Sequence, residues 1–161
     1  MNIDFHSHVI PCEFLDAVAA DPAGFTGVRV EIKNGEHFVA LSDHGSWFTG
    51  RIVYAGTEMT DVADVEAAPL LGADGTPLNR RGWHDSESLA FDGGTAYVGL
   101  ERVNQIVKFD FGRDGVRARG QPIVVPRALR RLPNNKGIEA LVFVPQSETK
   151  GQPLGGTLIA L

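Results

Sequence analysis

The sequence predicts a mainly β fold: a partial β-propeller of two to three incomplete antiparallel blades, preceded by a short strand-helix-hairpin segment. Three observations carry this expectation. An apolar strand ends the same way three times, as Phe38-Val39-Ala40-Leu41-Ser42-Asp43, Tyr97-Val98-Gly99-Leu100-Glu101 and Leu158-Ile159-Ala160-Leu161. A second echo matches Glu87-Ser88-Leu89-Ala90-Phe91 to Glu139-Ala140-Leu141-Val142-Phe143. Helical periodicity fades after Trp47, where short apolar runs alternate with Gly, Asp and Pro turns. A repeat of roughly 40 to 50 residues built of short strands marks propeller blades, which cannot bury their faces singly.

Taken in order, Met1 to Ile10 alternates in part as a short strand before Pro11. Glu13 to Ala20 reads as a helix with Phe14, Leu15 and Val18 on one side, stopped by Asp21-Pro22. Val28 to Ile32 and His37 to Leu41 flank Lys33-Asn34-Gly35-Glu36, and Asn-Gly between alternating runs is a strong hairpin signal. Further strands are expected at Gly50 to Tyr54, Ser88 to Phe91, Ala96 to Leu100, Ile106 to Phe111 and Ala140 to Val144. Asp92-Gly93-Gly94 joins two of them tightly, Asp74-Gly75 and Asp114-Gly115 mark turns, and Arg127 to Leu132 holds one helical turn. The change of style places a domain seam between residues 1–37 and 38–161. The third strand ending lacks the acid that follows the other two, so the array is expected to be unfinished, the product of a truncation or a fusion.

With 161 residues and 43% hydrophobic content the chain can build one ordinary core. Twenty acidic against fifteen basic residues give a net charge of -5, which argues against a general grip on nucleic acid or an anionic membrane. Cys12 is the single cysteine, so no intrachain disulfide forms. Asp4, His6, His8, Glu13 and Asp16 interrupt the start where a secretory peptide needs an apolar stretch, and no run has membrane-spanning length. As encoded, the product is expected in the cytoplasm.

Two resemblances follow from quoted residues. Ile3-Asp4-Phe5-His6-Ser7-His8-Val9-Ile10-Pro11 with Glu13-Phe14-Leu15 resembles the start of amidohydrolase-superfamily proteins of the aminocarboxymuconate-semialdehyde decarboxylase type, over about the first quarter of the chain. That resemblance implies that His6 and His8 ligate a divalent metal such as Zn²⁺, since alternate residues of a strand point the same way. The barrel of that family needs further His and Asp ligands, whereas His37, His44 and His84 follow no helix-strand alternation. The wider resemblance runs from about Phe38 to Leu161. It is carried by Leu41-Ser42-Asp43-His44-Gly45, Trp47, Asp74-Gly75, Arg81-Gly82-Trp83-His84-Asp85-Ser86-Glu87-Ser88-Leu89-Ala90, Tyr97 to Arg102 and Leu132 to Leu141. Together these are similar to the esterase-like, phytase-like family of bacterial β-propeller proteins, whose members are commonly exported.

That resemblance implies hydrolysis of a phosphoester or related ester of a small molecule. Asp43 and Glu101 fall at equivalent strand ends, and Asp85, Glu87 and Glu139 at equivalent strand starts, so a propeller can gather them around its channel. Clustered carboxylates are hard ligands for Ca²⁺, or an acid and base pair that raise one another's pKa. Asp43, Asp85, Glu101 and Lys136 are the candidate catalytic residues, with Arg102 and His84 for substrate. Glu87 and Glu139 directly precede apolar strands and are assigned to hydrogen bonding within turns. No serine sits in a Gly-x-Ser-x-Gly elbow and no phosphate loop is present, which disfavours serine-hydrolase and nucleotide chemistry. Two other functions stay open: a metal-dependent amidohydrolase or decarboxylase relative, and a non-enzymatic fragment that self-associates through open sheet edges.

Overall fold

Ten strands form three sheets in the computed structural model, which describes residues 37–133, 136–146 and 153–161. Strands β1 (His37–Ser42), β2 (Ser46–Ala55) and β3 (Glu58–Pro69) make an antiparallel sheet in the order β1-β2-β3. Strands β5 (Ser86–Asp92), β6 (Thr95–Leu100), β7 (Gln105–Asp110) and β8 (Arg119–Pro122) follow one another across the second sheet. The short β4 (Leu71–Gly72) lies parallel to β8 on its outer edge. Strands β9 (Leu141–Val144) and β10 (Thr157–Ala160) pair antiparallel as the third. One helical turn, α1 (Phe111–Asp114), links β7 to β8. The described strands all belong to one unit, His37–Leu161, and form the partial propeller that the repeat predicts.

Local chemistry explains the turns. Gly45 takes a positive φ of 78° and its N–H bonds the Ser42 carbonyl at 2.9 Å, closing the β1–β2 loop at Asp43-His44-Gly45. Gly93-Gly94 forms the expected two-residue link, with Asp92 opposite Thr95. The Asp74-Gly75 turn is held by the Gly75 N–H on the Gly72 carbonyl at 2.8 Å, and by the Asp74 carboxylate, which accepts from both Thr76 groups and pairs with Arg81. The helical turn foreseen within Arg127 to Leu132 is a 3-10 turn at Leu129–Arg131. Phe111 opens α1 instead of closing β7.

One strand departs from expectation. The residues of β3 were not predicted to be extended, yet they run antiparallel to β2 from Ser46–Pro69 to Ala55–Glu58. Glu, Asp and Ala are poor strand formers, and β3 stays mostly exposed because it is the outer strand of its sheet. Pairing with β2, not intrinsic preference, holds it extended. The early strand, the helix and the Asn34-Gly35 hairpin fall outside the described residues.

The second sheet is covered on both faces. Ala96, Val98, Leu100, Val107 and Phe109 point to one side and join Trp47 of the first sheet and Leu70, which links β3 to β4, with Val39 and Leu41 packed against them. Ala90 and Ile106 point to the other side and meet Ile138 and Leu141, flanked by Tyr97, Phe143, Leu158 and Ala160. Trp47 is fully buried, edge-on to Phe109 with centroids 5.2 Å apart. Tyr97 stacks on Phe143 across the second interface at 6.0 Å and an angle of 3°. Sheet thus stacks on sheet on sheet, each burying what its neighbour cannot cover alone.

Candidate functional site

The repeated strand ends meet at one rim. The Asp85 N–H donates to the Asp43 carbonyl at 2.7 Å, which joins the β1–β2 turn to the start of β5. The Glu101 N–H donates to the Asp85 carbonyl at 2.8 Å, joining the end of β6 to the same place. In the third sheet the Glu139 N–H donates to the Leu161 carbonyl at 2.8 Å and the Leu161 N–H to the Ala140 carbonyl at 3.0 Å, which ties the end of β10 to the start of β9.

Asp85, Glu87 and Glu101 each offer a ligand atom, and these atoms lie within 4.8 Å of one another. Two backbone irregularities place them there. Ser86 pairs with Leu100 and Ser88 with Gly99, so Glu87 is the extra residue of a β-bulge, a device that re-aims a side chain. Asp85 has a positive φ of 67°, uncommon for a residue other than glycine, and its main chain is tied to two neighbouring strand ends. Glu101 is only 6% exposed and its carboxylate accepts the Gly137 N–H at 3.1 Å. A Cβ at Gly137 would stand 2.7 Å from the Glu101 Cγ, so glycine is what lets the two segments approach.

Burial raises the Glu87 carboxyl above its ordinary pKa, and the charges of Asp43, Asp85, Glu101 and Glu139 raise it further. Five carboxylates thus share one field. Among the described residues no ion pair reaches any of them, since Arg51, Arg81 and Arg113 pair with Asp64, Asp74, Asp110 and Asp114 elsewhere. Hard oxygen donors with uncompensated negative charge fit a divalent cation such as Ca²⁺.

The sequence-selected residues divide as follows. Asp85 and Glu101 stand in the triad. Asp43 lies exposed on the adjoining turn. Arg102 and Lys136 are both exposed and flank in sequence the two ends of the Glu101–Gly137 contact. His84 is half-buried and lines an open depression of about 460 Å³ with His44, Asn79 and Arg80. Glu87, assigned by sequence to turn hydrogen bonding, belongs to the triad, and Glu101 is the residue that accepts a backbone N–H. The bulge that turns Glu87 inward leaves no mark in the residue pattern. Asn104 was overlooked: it sits in the left-handed region at φ 48°, 5% exposed, with its Nδ2 on the Leu132 carbonyl at 2.9 Å. An Asn directly after a strand and a tight turn was the available signal.

His6 and His8 lie outside the described residues. Searches of curated proteins and of solved structures each find no match. The family model described as Phytase-like, "Esterase-like activity of phytase", matches residues 22–160, leaving His6 and His8 outside it and taking in every residue of the acidic rim. With the repeat, the stacked sheets and the gathered carboxylates all inside that span, the chain belongs to the phytase-like family.

Proposed function

We propose that this domain hydrolyses a phosphoester, or a related ester, with Ca²⁺ held by Asp85, Glu87 and Glu101. The observation that carries the reading is the convergence of these three carboxylates, none of which is in an ion pair among the described residues. When bound, Ca²⁺ would supply charge neutralisation and polarise a phosphoryl or acyl oxygen. The protein's own residues provide the remainder. Glu101 is pinned by the Gly137 N–H and Glu87 by the bulge, so both are preorganised. Asp43, exposed beside the triad, is the carboxylate available to take a proton from an attacking water. Arg102 and Lys136 offer exposed positive charge to the substrate's oxygens.

Calcium titration calorimetry and hydrolysis of p-nitrophenyl phosphate test this together. Asp85→Asn and Glu101→Gln are each expected to weaken calcium binding at least about tenfold, the worth of one charge-assisted contact, and to remove the calcium-dependent rate. Wild-type protein that neither binds calcium nor hydrolyses the ester faster in its presence overturns the reading.

A further inference from the structure

The third sheet covers the second as far as Tyr97 and Ile106, and beyond them on the same face Lys108 and Asp110 are exposed. Positive charge collects at this end. Within β8, Gly120 is buried while Arg119 and Gln121 on either side of it are exposed, so these two side chains point to the open side. A Cβ at Gly120 would stand 2.5 Å from both the Phe109 Cε1 and the Val107 Cγ1, which closes the opposite face. Register sets Tyr97 opposite Lys108, and Lys108 opposite Gln121. Cross-strand neighbours of this kind have Cβ atoms about 5 Å apart, so Lys108, Gln121 and Arg119 form one cluster.

Two depressions open there. One of about 530 Å³ is lined by Arg113, Asp114, Arg117 and Arg119, and one of about 340 Å³ by Tyr97, Lys108, Asp110, Arg113 and Arg119. Arg113, Arg119 and Gln121 line both and form the wall between them. Arg113 is clamped by Asp110 at 3.1 Å and Asp114 at 2.7 Å, which fixes that wall. Hydrogen bonds from Arg113 hold the Asp114 carboxyl below its ordinary pKa and the charge of Arg119 lowers it further, so both guanidinium groups stand near this carboxylate. The Arg119 Nη2 lies 3.4 Å from where a Gly75 Cβ would be, which seats it on the Asp74-Gly75 turn. Among the described residues no ion pair engages Lys108, Arg117 or Arg119. Cations therefore outnumber carboxylates here, in a chain whose net charge is -5.

We propose that this end of the second sheet is a separate ligand site for a small anion with two or more spaced oxyanionic groups, an oligophosphate or a polycarboxylate. One group sits between Arg117 and Arg119 and the next between Lys108 and Arg119, because each depression holds one unpaired cation that the other lacks. Arg presents a fork of N–H donors to two oxygens at once, and Arg119 on the shared wall serves both groups. A single anionic group leaves either Lys108 or Arg117 unanswered. The site stands apart from the acidic triad: Tyr97 precedes Glu101 by four residues along β6 and its continuation, roughly 13 Å at about 3.4 Å per residue. It is independent of the hydrolase reading.

The test is titration calorimetry of the full chain in calcium-free buffer with tripolyphosphate, citrate and inorganic phosphate. The proteins are wild type, Arg119→Gln, Arg119→Lys, the Lys108→Gln/Arg117→Gln pair, and Arg51→Gln as the control for net charge, since Arg51 pairs with Asp64 on the first sheet. Tripolyphosphate or citrate is expected to bind about tenfold or more tightly than inorganic phosphate, and whichever binds tighter names the ligand class. That affinity is expected to fall about tenfold in Arg119→Gln and in the double variant, with partial recovery in Arg119→Lys and no change in Arg51→Gln. The site is overturned if neither multivalent anion binds tighter than inorganic phosphate, if binding ignores Arg119, or if Arg51→Gln loses as much as Arg119→Gln. Each of these results leaves the calcium site standing.

Discussion

At the scale of single residues, Glu87 determines how the rim responds to pH. Its folded-state pKa is raised, by burial first and then by its four acidic neighbours, so the native chain holds this proton more tightly than the unfolded one. Stability therefore falls as pH rises from the ordinary value of 4.5 through the raised value, and is regained on acidification through the same window. Asp74 works in the opposite sense: hydrogen bonds from Thr76, and then Arg81, lower its pKa, so its contribution is present above 3.8 and lost as pH falls through the folded value. Replacing Glu87 with Gln is expected to raise the melting temperature near neutral pH in calcium-free buffer and to flatten the profile above about pH 4.5. Thermal melts followed by circular dichroism across that range check it, and a variant that melts lower than wild type at neutral pH refutes it.

At the scale of elements, the site depends on close approach between the end of β6 and the segment before β9. Gly137→Ala places a Cβ 2.7 Å from the Glu101 Cγ and 2.9 Å from its carbonyl oxygen, so one chain must retreat. The expected cost is about 1–3 kcal/mol, typical of overpacking, together with weaker calcium binding because Glu101 loses the Gly137 N–H. Denaturant unfolding and calorimetry measure the two effects, and full calcium affinity in this variant would mean the contact is not needed. The same elements show what the sequence made legible. Strands β5, β6, β7 and β9 announce themselves through alternating apolar residues and Gly-Gly or Asp-Gly turns. The recurring strand endings at Asp43 and Glu101, with the strand starts at Asp85, Glu87 and Glu139, also indicated that these carboxylates gather in one place. What stayed hidden is backbone geometry that any residue type can adopt: the bulge at Glu87, the left-handed Asp85, and β3, whose Glu, Asp and Ala residues become a strand only because β2 offers a partner.

At the scale of the whole molecule, the three stacked sheets predict an order of local stability. The central strands β6 and β7 are hydrogen-bonded on both sides and covered on both faces, so their amides are expected to exchange slowest. The distal half of the β2–β3 hairpin, from Arg51 to Asp64, is mostly exposed and bends at two register shifts, so its amides are expected to exchange fastest among the strands. Hydrogen exchange read by mass spectrometry gives this ranking directly, and equal protection along both hairpins would contradict it. The double cladding of the middle sheet has a consequence for how such a chain can vary. A sheet with one wet surface tolerates almost any polar residue at every second position, but β5 to β7 offer one only toward one end, where Lys108 and Asp110 are exposed. A change of size at Ala90 or Val98 must be answered by a different neighbour on each flank, so new activity is cheaper to acquire at the rim than anywhere along the strands that support it.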